Sequence, residues 1–164
     1  MANHASYGRL NAGLISACLT GLGLAYYAYV VETAKEKDNL YEAMCDISEH
    51  VSCTKAFMSK YGKGFGLIPK DSILYAPNSI YGLIFYFTVL ILSTLNYYSS
   101  TLALLALGIL ANISSVYLAC ILYLLNDICI VCVSNYIVNA IILILTVKKL
   151  RIVSRGETRK KKTK

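Results

Sequence analysis

Two cysteines stand three residues apart in "NDICIVCVSNY", residues 126–136, and are the side chains best suited to chemistry. A thiolate is a nucleophile, and two neighbouring thiols give up two electrons when they close to a disulfide. If Asn126 or Asp127 caps a helix here, Cys129 lies in its first turn and Cys132 about one turn later. The positive end of that helix favours thiolate, whereas burial near lipid and the Asp127 charge oppose it. The pattern therefore predicts a redox-active dithiol at the start of a helix.

Composition and charge indicate that this helix belongs to an integral membrane protein. Hydrophobic residues make up 57% of the chain and charged residues 15%, against about 25% in soluble domains. Three runs of 22, 55 and 20 residues carry no charge. About 20 apolar residues cross a bilayer, so the middle run needs two helices, with "NYYSST" as their turn. We predict an all-α membrane protein, a bundle of four transmembrane helices at about 10–31, 79–96, 101–123 and 128–147.

Basic residues set the expected orientation. The segment from Lys148 onward has a net charge of +8, whereas the loop 32–78 has a net charge of −1. Because basic ends stay in the cytosol, we expect cytosolic termini, a luminal loop, a catalytic domain over 1–150 and a basic tail over 151–164. The first span could instead be a signal peptide, but its apolar stretch is longer than usual. The ending "KKTK" resembles a dilysine signal for the endoplasmic reticulum, although chance is a rival in so basic a tail.

The remaining cysteines sort by their place along the chain. Cys18 and Cys120 fall inside spans, where cysteine usually acts as a small hydrophobe. Cys45 and Cys53 lie in the loop, on the same side of the membrane as the dithiol. That side is oxidising, so disulfides persist there. These four cysteines could bind zinc, although no second CxxC accompanies the first, or they could form two static disulfides. A redox role is favoured over both.

Two further side chains are candidates for substrate contacts. Tyr136 follows Cys132 by four residues, so both lie on one helical face. Its alternative role is that of an interfacial aromatic. Asn78 lies where the loop enters the second span, and its alternative role is a helix cap. Glycines at 62, 64 and 66 predict tight turns near the membrane surface.

Taken together, these motifs resemble the vitamin K epoxide reductase family from about residue 19 to residue 149. The matching pieces are "CLTGLGLAYYAYVVE", "MCDISEHVSC", "YGKGFGL", "DSIL", "NSIYG", "SVYLACIL" and "CIVC" followed by tyrosine. The segment "IPK" looks shorter than in vertebrate members, and Tyr61 stands where the family often has tryptophan. These departures leave the chemistry in place.

The resemblance implies a role for each reactive cysteine. Cys132 would attack the quinone or epoxide, and Cys129 would resolve the adduct. Cys45 and Cys53 would relay electrons from a luminal thioredoxin-like partner, with Cys53 exchanging with Cys129. The expected protein is thus an endoplasmic reticulum enzyme that reduces vitamin K epoxide and vitamin K quinone toward the hydroquinone.

The resemblance also implies how the substrate is held. Asn78 and Tyr136 would hydrogen-bond its oxygens, and Phe57 would cover it. No bound cofactor or metal is expected, because the dithiol itself supplies two electrons, and no nucleic acid is expected as a partner. Two alternatives stay open: a quinone-linked oxidase that makes disulfides, and a four-span structural protein whose loop is stapled by a disulfide.

Overall fold

The computed structural model describes residues 2–48 and 50–162, including the side chains of residues 7–48 and 50–156. Every regular element in this part of the chain is helical. The dilysine pair predicted at residues 161 and 162 lies outside the described side chains. The elements are α1 (Ala2–Lys37), α2 (Cys53–Met58), a 3-10 turn (Gly64–Gly66), α3 (Asn78–Thr94), α4 (Tyr98–Leu124) and α5 (Ile130–Lys162).

Three of the helices are long and apolar enough to cross a membrane. These segments are Tyr7–Lys37, Tyr98–Leu124 and Ile130–Gly156. The remaining long helix, α3, is apolar but has only 17 residues, about 25 Å at 1.5 Å per residue. The break between α3 and α4 lies at residues 95–97 and overlaps only the start of the turn predicted from the polar cluster 96–101. The sequence therefore locates all four helices, but α3 is shorter than a typical span.

The helices pack through small residues and an apolar core. α1 lies against α3 and α5, and α4 lies against α5 and α3. At Gly21, a Cβ atom would sit 2.3 Å from the ring of Tyr86, so glycine allows α1 and α3 to approach each other. The core shared by the four long helices contains the following buried residues: Leu14, Cys18, Ala25, Tyr86, Val89, Leu104, Val138 and Ile142.

The outer faces of these helices expose large apolar side chains. In α3 and α4, Phe87 is 58% exposed and Ile113 is 63% exposed. Exposed apolar surface on this scale suits contact with lipid rather than water. The helical packing and the apolar exterior agree with the class of protein that the composition indicates.

A buried lysine closes the end of the bundle remote from the dithiol. Lys149 is fully buried, and its Nζ donates hydrogen bonds to the carbonyl oxygens of Ser93 (2.7 Å) and Leu95 (2.9 Å). These carbonyls lie at the C-terminus of α3, where backbone acceptors lack helical partners. The positive charge of Lys149 is also stabilised by the partial negative charge at the C-terminus of α3. α5 continues without a break through the basic residues that follow, as far as Lys162.

Candidate active site

The dithiol lies at the start of α5, two or three positions nearer the beginning of the helix than the cap prediction places it. Cys129 directly precedes α5, and its carbonyl accepts the N–H of Val133 at 3.0 Å. Its sulfur accepts the N–H of Cys132 at 3.2 Å. Cys129 is therefore the N-cap residue itself, and the prediction that Asn126 or Asp127 caps this helix is wrong.

The reason for this difference is a tight turn before the helix. Asn126 adopts the left-handed conformation (φ 52°), and its N–H bonds to the carbonyl of Tyr123 at 3.1 Å. Asp127 is buried, and its carboxylate oxygens have no hydrogen-bond partner among the described residues. The chain thus uses both polar residues to reverse direction between α4 and α5, which leaves the cap to a cysteine.

The loop cysteines form a disulfide at the start of α2. Cys45 and Cys53 are bonded to each other, with Cα atoms 5.7 Å apart. The Tyr27 hydroxyl donates a hydrogen bond to the Cys45 sulfur at 3.7 Å. Ser52 caps α2 by accepting the N–H of Lys55 at 3.2 Å. The loop pair is therefore oxidised and anchored to α1, whereas Cys129 and Cys132 are free thiols.

Asp46 organises the backbone around this disulfide. Its carboxylate accepts hydrogen bonds from the Ser52 hydroxyl (2.7 Å), the Thr54 N–H (3.0 Å), the Thr54 hydroxyl (2.8 Å) and the Ala43 N–H (2.8 Å). Burial on its own would raise the pKa of this carboxyl, but these hydrogen bonds outweigh it and lower the pKa to about 2. Asp46 is therefore ionised at neutral pH and holds the two ends of the disulfide segment together.

A backbone bridge joins the loop to the dithiol. The Ile128 N–H donates to the carbonyl of His50 at 2.8 Å, and the Ser52 N–H donates to the carbonyl of Ile128 at 3.0 Å. Val51 and Ile128 thus pair in parallel. Cys53 follows Val51 by two residues, and Cys129 directly follows Ile128. Both cysteines are fully buried within one apolar cluster. The fold brings the two predicted cysteine pairs together.

A cavity of about 500 Å³ opens between the helices beside the dithiol. This volume is typical of sites for small organic ligands. Most of its lining is apolar, from α1, α3, α4 and α5. Cys132 lines the cavity, whereas Cys129, Cys45 and Cys53 do not. The polar lining residues are Glu32, Ser59, Tyr61, Asn78, Ser79, Tyr81, Tyr86, Ser114, Ser115, Asn135, Tyr136 and Asn139.

The three predicted substrate contacts all lie on this cavity, and Asn78 has a further structural task. Its side-chain oxygen accepts the Phe65 N–H at 2.9 Å, and its amide nitrogen donates to the Tyr61 carbonyl at 2.7 Å. It does not cap α3, whose N-cap is Pro77 without a side-chain cap bond. Asn78 instead fastens the glycine-rich segment over the cavity, and its amide nitrogen retains a second N–H.

The glycine-rich segment adopts the tight turns that its sequence predicts. Gly64 and Gly66 have positive φ angles of 55° and 70°. A Cβ atom at Gly62 would lie 1.8 Å from the carbonyl oxygen of Phe57, so only glycine fits there. Phe57, at the end of α2, is thereby held at the cavity wall beneath this segment.

The face of α5 that carries Cys132 and Tyr136 holds two more polar residues, Asn135 and Asn139, which were not singled out from the sequence. Cys132, Asn135, Tyr136 and Asn139 follow the spacing i, i+3, i+4 and i+7, which places them on one helical face. All four line the cavity. Tyr86 donates to the side-chain oxygens of Asn135 at 3.0 Å and Asn139 at 2.9 Å. The spacing was visible in an otherwise apolar helix and was the signal that could have revealed these residues.

Glu32 was also missed, because its charge served only to mark the end of the first span. It is 2% exposed and accepts a hydrogen bond from Ser79 at 3.1 Å. Nothing in its local sequence separates it from the acidic loop residues. For metals, no three His, Cys, Asp or Glu side chains meet in a metal-binding group within the described residues.

Comparisons with known proteins agree with this arrangement. The vitamin K epoxide reductase family matches residues 13–147 of the chain. Vitamin K epoxide reductase complex subunit 1 of Mus musculus is 38% identical over 141 residues, which cover 83% of this chain and 88% of the mouse protein. The protein of the same name from Rattus norvegicus is 39% identical over 150 residues, which cover 88% of this chain and 91% of the rat protein. The chain therefore belongs to the vitamin K epoxide reductase family and is a membrane oxidoreductase.

Proposed function

We propose that the chain reduces vitamin K epoxide and vitamin K quinone toward the hydroquinone, with electrons from dithiols. The observation that carries the proposal is the position of Cys132. It lines an apolar cavity of about 500 Å³, while its partner Cys129 lies behind it in the cluster that contains the loop disulfide. One thiol thus faces a site for a flat, lipid-soluble ring, and the other faces a source of electrons.

The chemistry follows from this division. Cys132 attacks the ring as a thiolate, and Cys129 then attacks the Cys132 sulfur and releases the reduced ring. Closing the disulfide removes two electrons and two protons from the dithiol. A quinone takes them up and becomes the hydroquinone. An epoxide takes them up, loses its oxygen as water and becomes the quinone.

Electrons return through the loop pair. A reduced Cys53 attacks the Cys129–Cys132 disulfide at Cys129, and Cys45 then resolves the mixed disulfide. The bridge between Val51 and Ile128 supports this step because it holds both segments side by side. A luminal thioredoxin-like protein would reduce Cys45–Cys53 and complete the relay.

The substrate oxygens are held by donors in the cavity. Asn78 offers its second amide N–H, and Tyr136 offers its hydroxyl. Attack on the ring builds negative charge on oxygen, and fixed donors in a site with little water stabilise that charge. Phe57 covers the ring from the loop side. The reaction needs no bound cofactor, since the dithiol supplies both electrons.

The proposed topology places this chemistry in the lumen of the endoplasmic reticulum. α1, α3, α4 and α5 cross the membrane, α3 as its shortest span. The loop 32–78 is luminal, and both termini, including the basic tail 151–164, are cytosolic. A glycosylation acceptor inserted near residue 71 is expected to be modified, and one inserted after residue 155 is not. The reverse pattern would overturn the orientation.

Turnover by the purified chain tests the function. With dithiothreitol as donor, we expect the chain to convert vitamin K epoxide to the quinone and the quinone to the hydroquinone. The matched control is Cys120→Ala, which removes an exposed free cysteine of α4 outside the cavity and should leave turnover unchanged. A chain that binds neither compound and consumes no dithiothreitol would contradict the proposal and favour a structural role.

A further inference from the structure

One ionisable group in the cavity has no part in the reaction described above. Glu32 is 2% exposed and lines the cavity from α1. Its Oε2 atom accepts a hydrogen bond from the Ser79 hydroxyl at 3.1 Å, and its buried Oε1 atom has no partner among the described residues. Burying a polar atom without a partner is costly, so an orphaned oxygen on a residue that lines a binding cavity indicates an unfilled interaction.

The position of Glu32 relative to Asn78 indicates which chemical group would bind the free carboxyl oxygen. Ser79, which orients the carboxyl, directly follows Asn78 on α3. The charged neighbours are already engaged, because Lys63 forms an ion pair with Glu36 one turn further along α1. The carboxyl therefore lies on the wall where the substrate oxygens are expected. It makes no direct ion pair among the described residues, since Lys63 attracts its charge but pairs with Glu36.

We propose that Glu32 is a further substrate-binding residue, whose carboxyl hydrogen-bonds an oxygen of the quinone or epoxide ring beside Asn78. Quinone and epoxide oxygens are acceptors only, so the carboxyl binds them as a donor in its neutral form. A buried carboxyl that makes no direct ion pair costs least in that form. The hydroquinone product carries hydroxyls, and Oε1 can accept a hydrogen bond from one of them. Glu32 thus favours ligands that place a ring oxygen at this wall of the cavity. This inference rests on the proposed function.

Two replacements of Glu32 separate hydrogen bonding from packing. Glu32→Gln keeps an acceptor for Ser79 and a donor for the substrate. Glu32→Leu has a similar volume and removes both. The matched control is Glu42→Gln, at an exposed acidic position outside the cavity lining. The experiment measures the Kd of vitamin K quinone for each purified full-length variant, then KM and kcat with dithiothreitol. The alkylation rate of Cys132 reports whether the site is intact.

We expect Glu32→Leu to raise Kd and KM about tenfold, the cost of one buried hydrogen bond, with kcat little changed. Glu32→Gln and Glu42→Gln should stay within about threefold of wild type. Unchanged affinity in Glu32→Leu, or equal losses in the Leu and Gln variants, would overturn the proposal. If Glu32→Leu fails to fold, Ser79→Ala decides: we expect a loss of about threefold, and unchanged affinity would contradict the role. Failure of wild type to turn over either compound would count against the proposed function alone, because the Kd of vitamin K quinone for each variant still tests whether Glu32 contributes to binding.

Discussion

The two cysteine pairs of this enzyme lie in one cluster but in different physical settings. Cys45 and Cys53 are joined across a short loop segment, fixed by the ionised carboxylate of Asp46. Cys129 and Cys132 are free thiols at the start of a long apolar helix, and only Cys132 faces the cavity. The segment that carries the loop pair is held by polar hydrogen bonds outside the long apolar helices, whereas the second pair lies at the start of one of these helices.

This difference indicates a division of labour. In the proposed relay, a folded protein that approaches from water opens the loop disulfide, in which Cys45 is 9% exposed and Cys53 is fully buried. A thiol inside an apolar cavity is reached by small, lipid-soluble molecules. Cys129 is the point of contact between the two, since it is buried with the disulfide and hydrogen-bonded to the backbone of Cys132. Substitutions in either pair should therefore affect different electron donors and substrates.

The largest effect is expected at the cavity cysteine. Cys132→Ala removes the nucleophile, so turnover should fall by about a thousandfold or more with every donor. Assays with dithiothreitol and with a thioredoxin-like protein would measure this. Cys120→Ala provides the control and should keep wild-type rates. Residual turnover above about a tenth of wild type would remove Cys132 from the reacting role.

A donor-dependent effect is expected at the loop pair. In Cys45→Ala the relay is broken for a folded donor, so turnover with a thioredoxin-like protein should fall at least about tenfold. Dithiothreitol is small enough to reach the dithiol directly, and turnover with it should stay within about threefold of wild type. Equal loss with both donors would indicate that Cys45–Cys53 only staples the loop.

The smallest effect concerns the stability of the loop pair. The pKa of Asp46 is about 2 in the folded chain, below about 3.9 in an unfolded one. Because the pKa is lower in the folded chain, the ionised carboxylate stabilises the fold fully at pH values above the pKa of the unfolded chain. This contribution is lost as the pH falls through about 2. Asp46→Asn should therefore lower the melting temperature at pH 7 and lower it less at pH 3. Asp71→Asn, at an exposed loop position, is the control. An equal decrease at both pH values would contradict the role given to the charge.

The helices and cysteines of this chain were predictable because their signals are local. Runs without charge mark each helix, and the polar cluster at 96–101 marks the break between α3 and α4. The prediction of the α5 cap failed because it assumed that the best capping residues would cap. In the structure, Asn126 takes a left-handed turn conformation, and this moves the helix start past Cys129.

The composition of the cavity wall was less predictable because it depends on contacts between distant segments. Glu32 is an ordinary acidic residue in sequence, and only the approach of Ser79 from α3 makes it part of the cavity. Asn78 was expected at the substrate, but its bonds to Phe65 and Tyr61 come from the folded glycine segment. Long-range partners of this kind leave no mark in the local sequence.

The central claim, that Cys53 exchanges with Cys129, can be tested by trapping the junction. In a Cys45→Ser, Cys132→Ser variant, both cysteines lose their other partner, and the backbone bridge holds their segments together. A disulfide needs Cα atoms within about 7 Å, which neighbouring bridged segments allow. A protease site inserted after Asn96 would separate the loop from α5, and non-reducing electrophoresis would show whether the fragments stay joined. We expect joined fragments that reductant releases, and separate fragments in the matched Cys45→Ser, Cys129→Ser variant. Separate fragments with two free thiols in the first variant, under oxidising conditions, would contradict the relay.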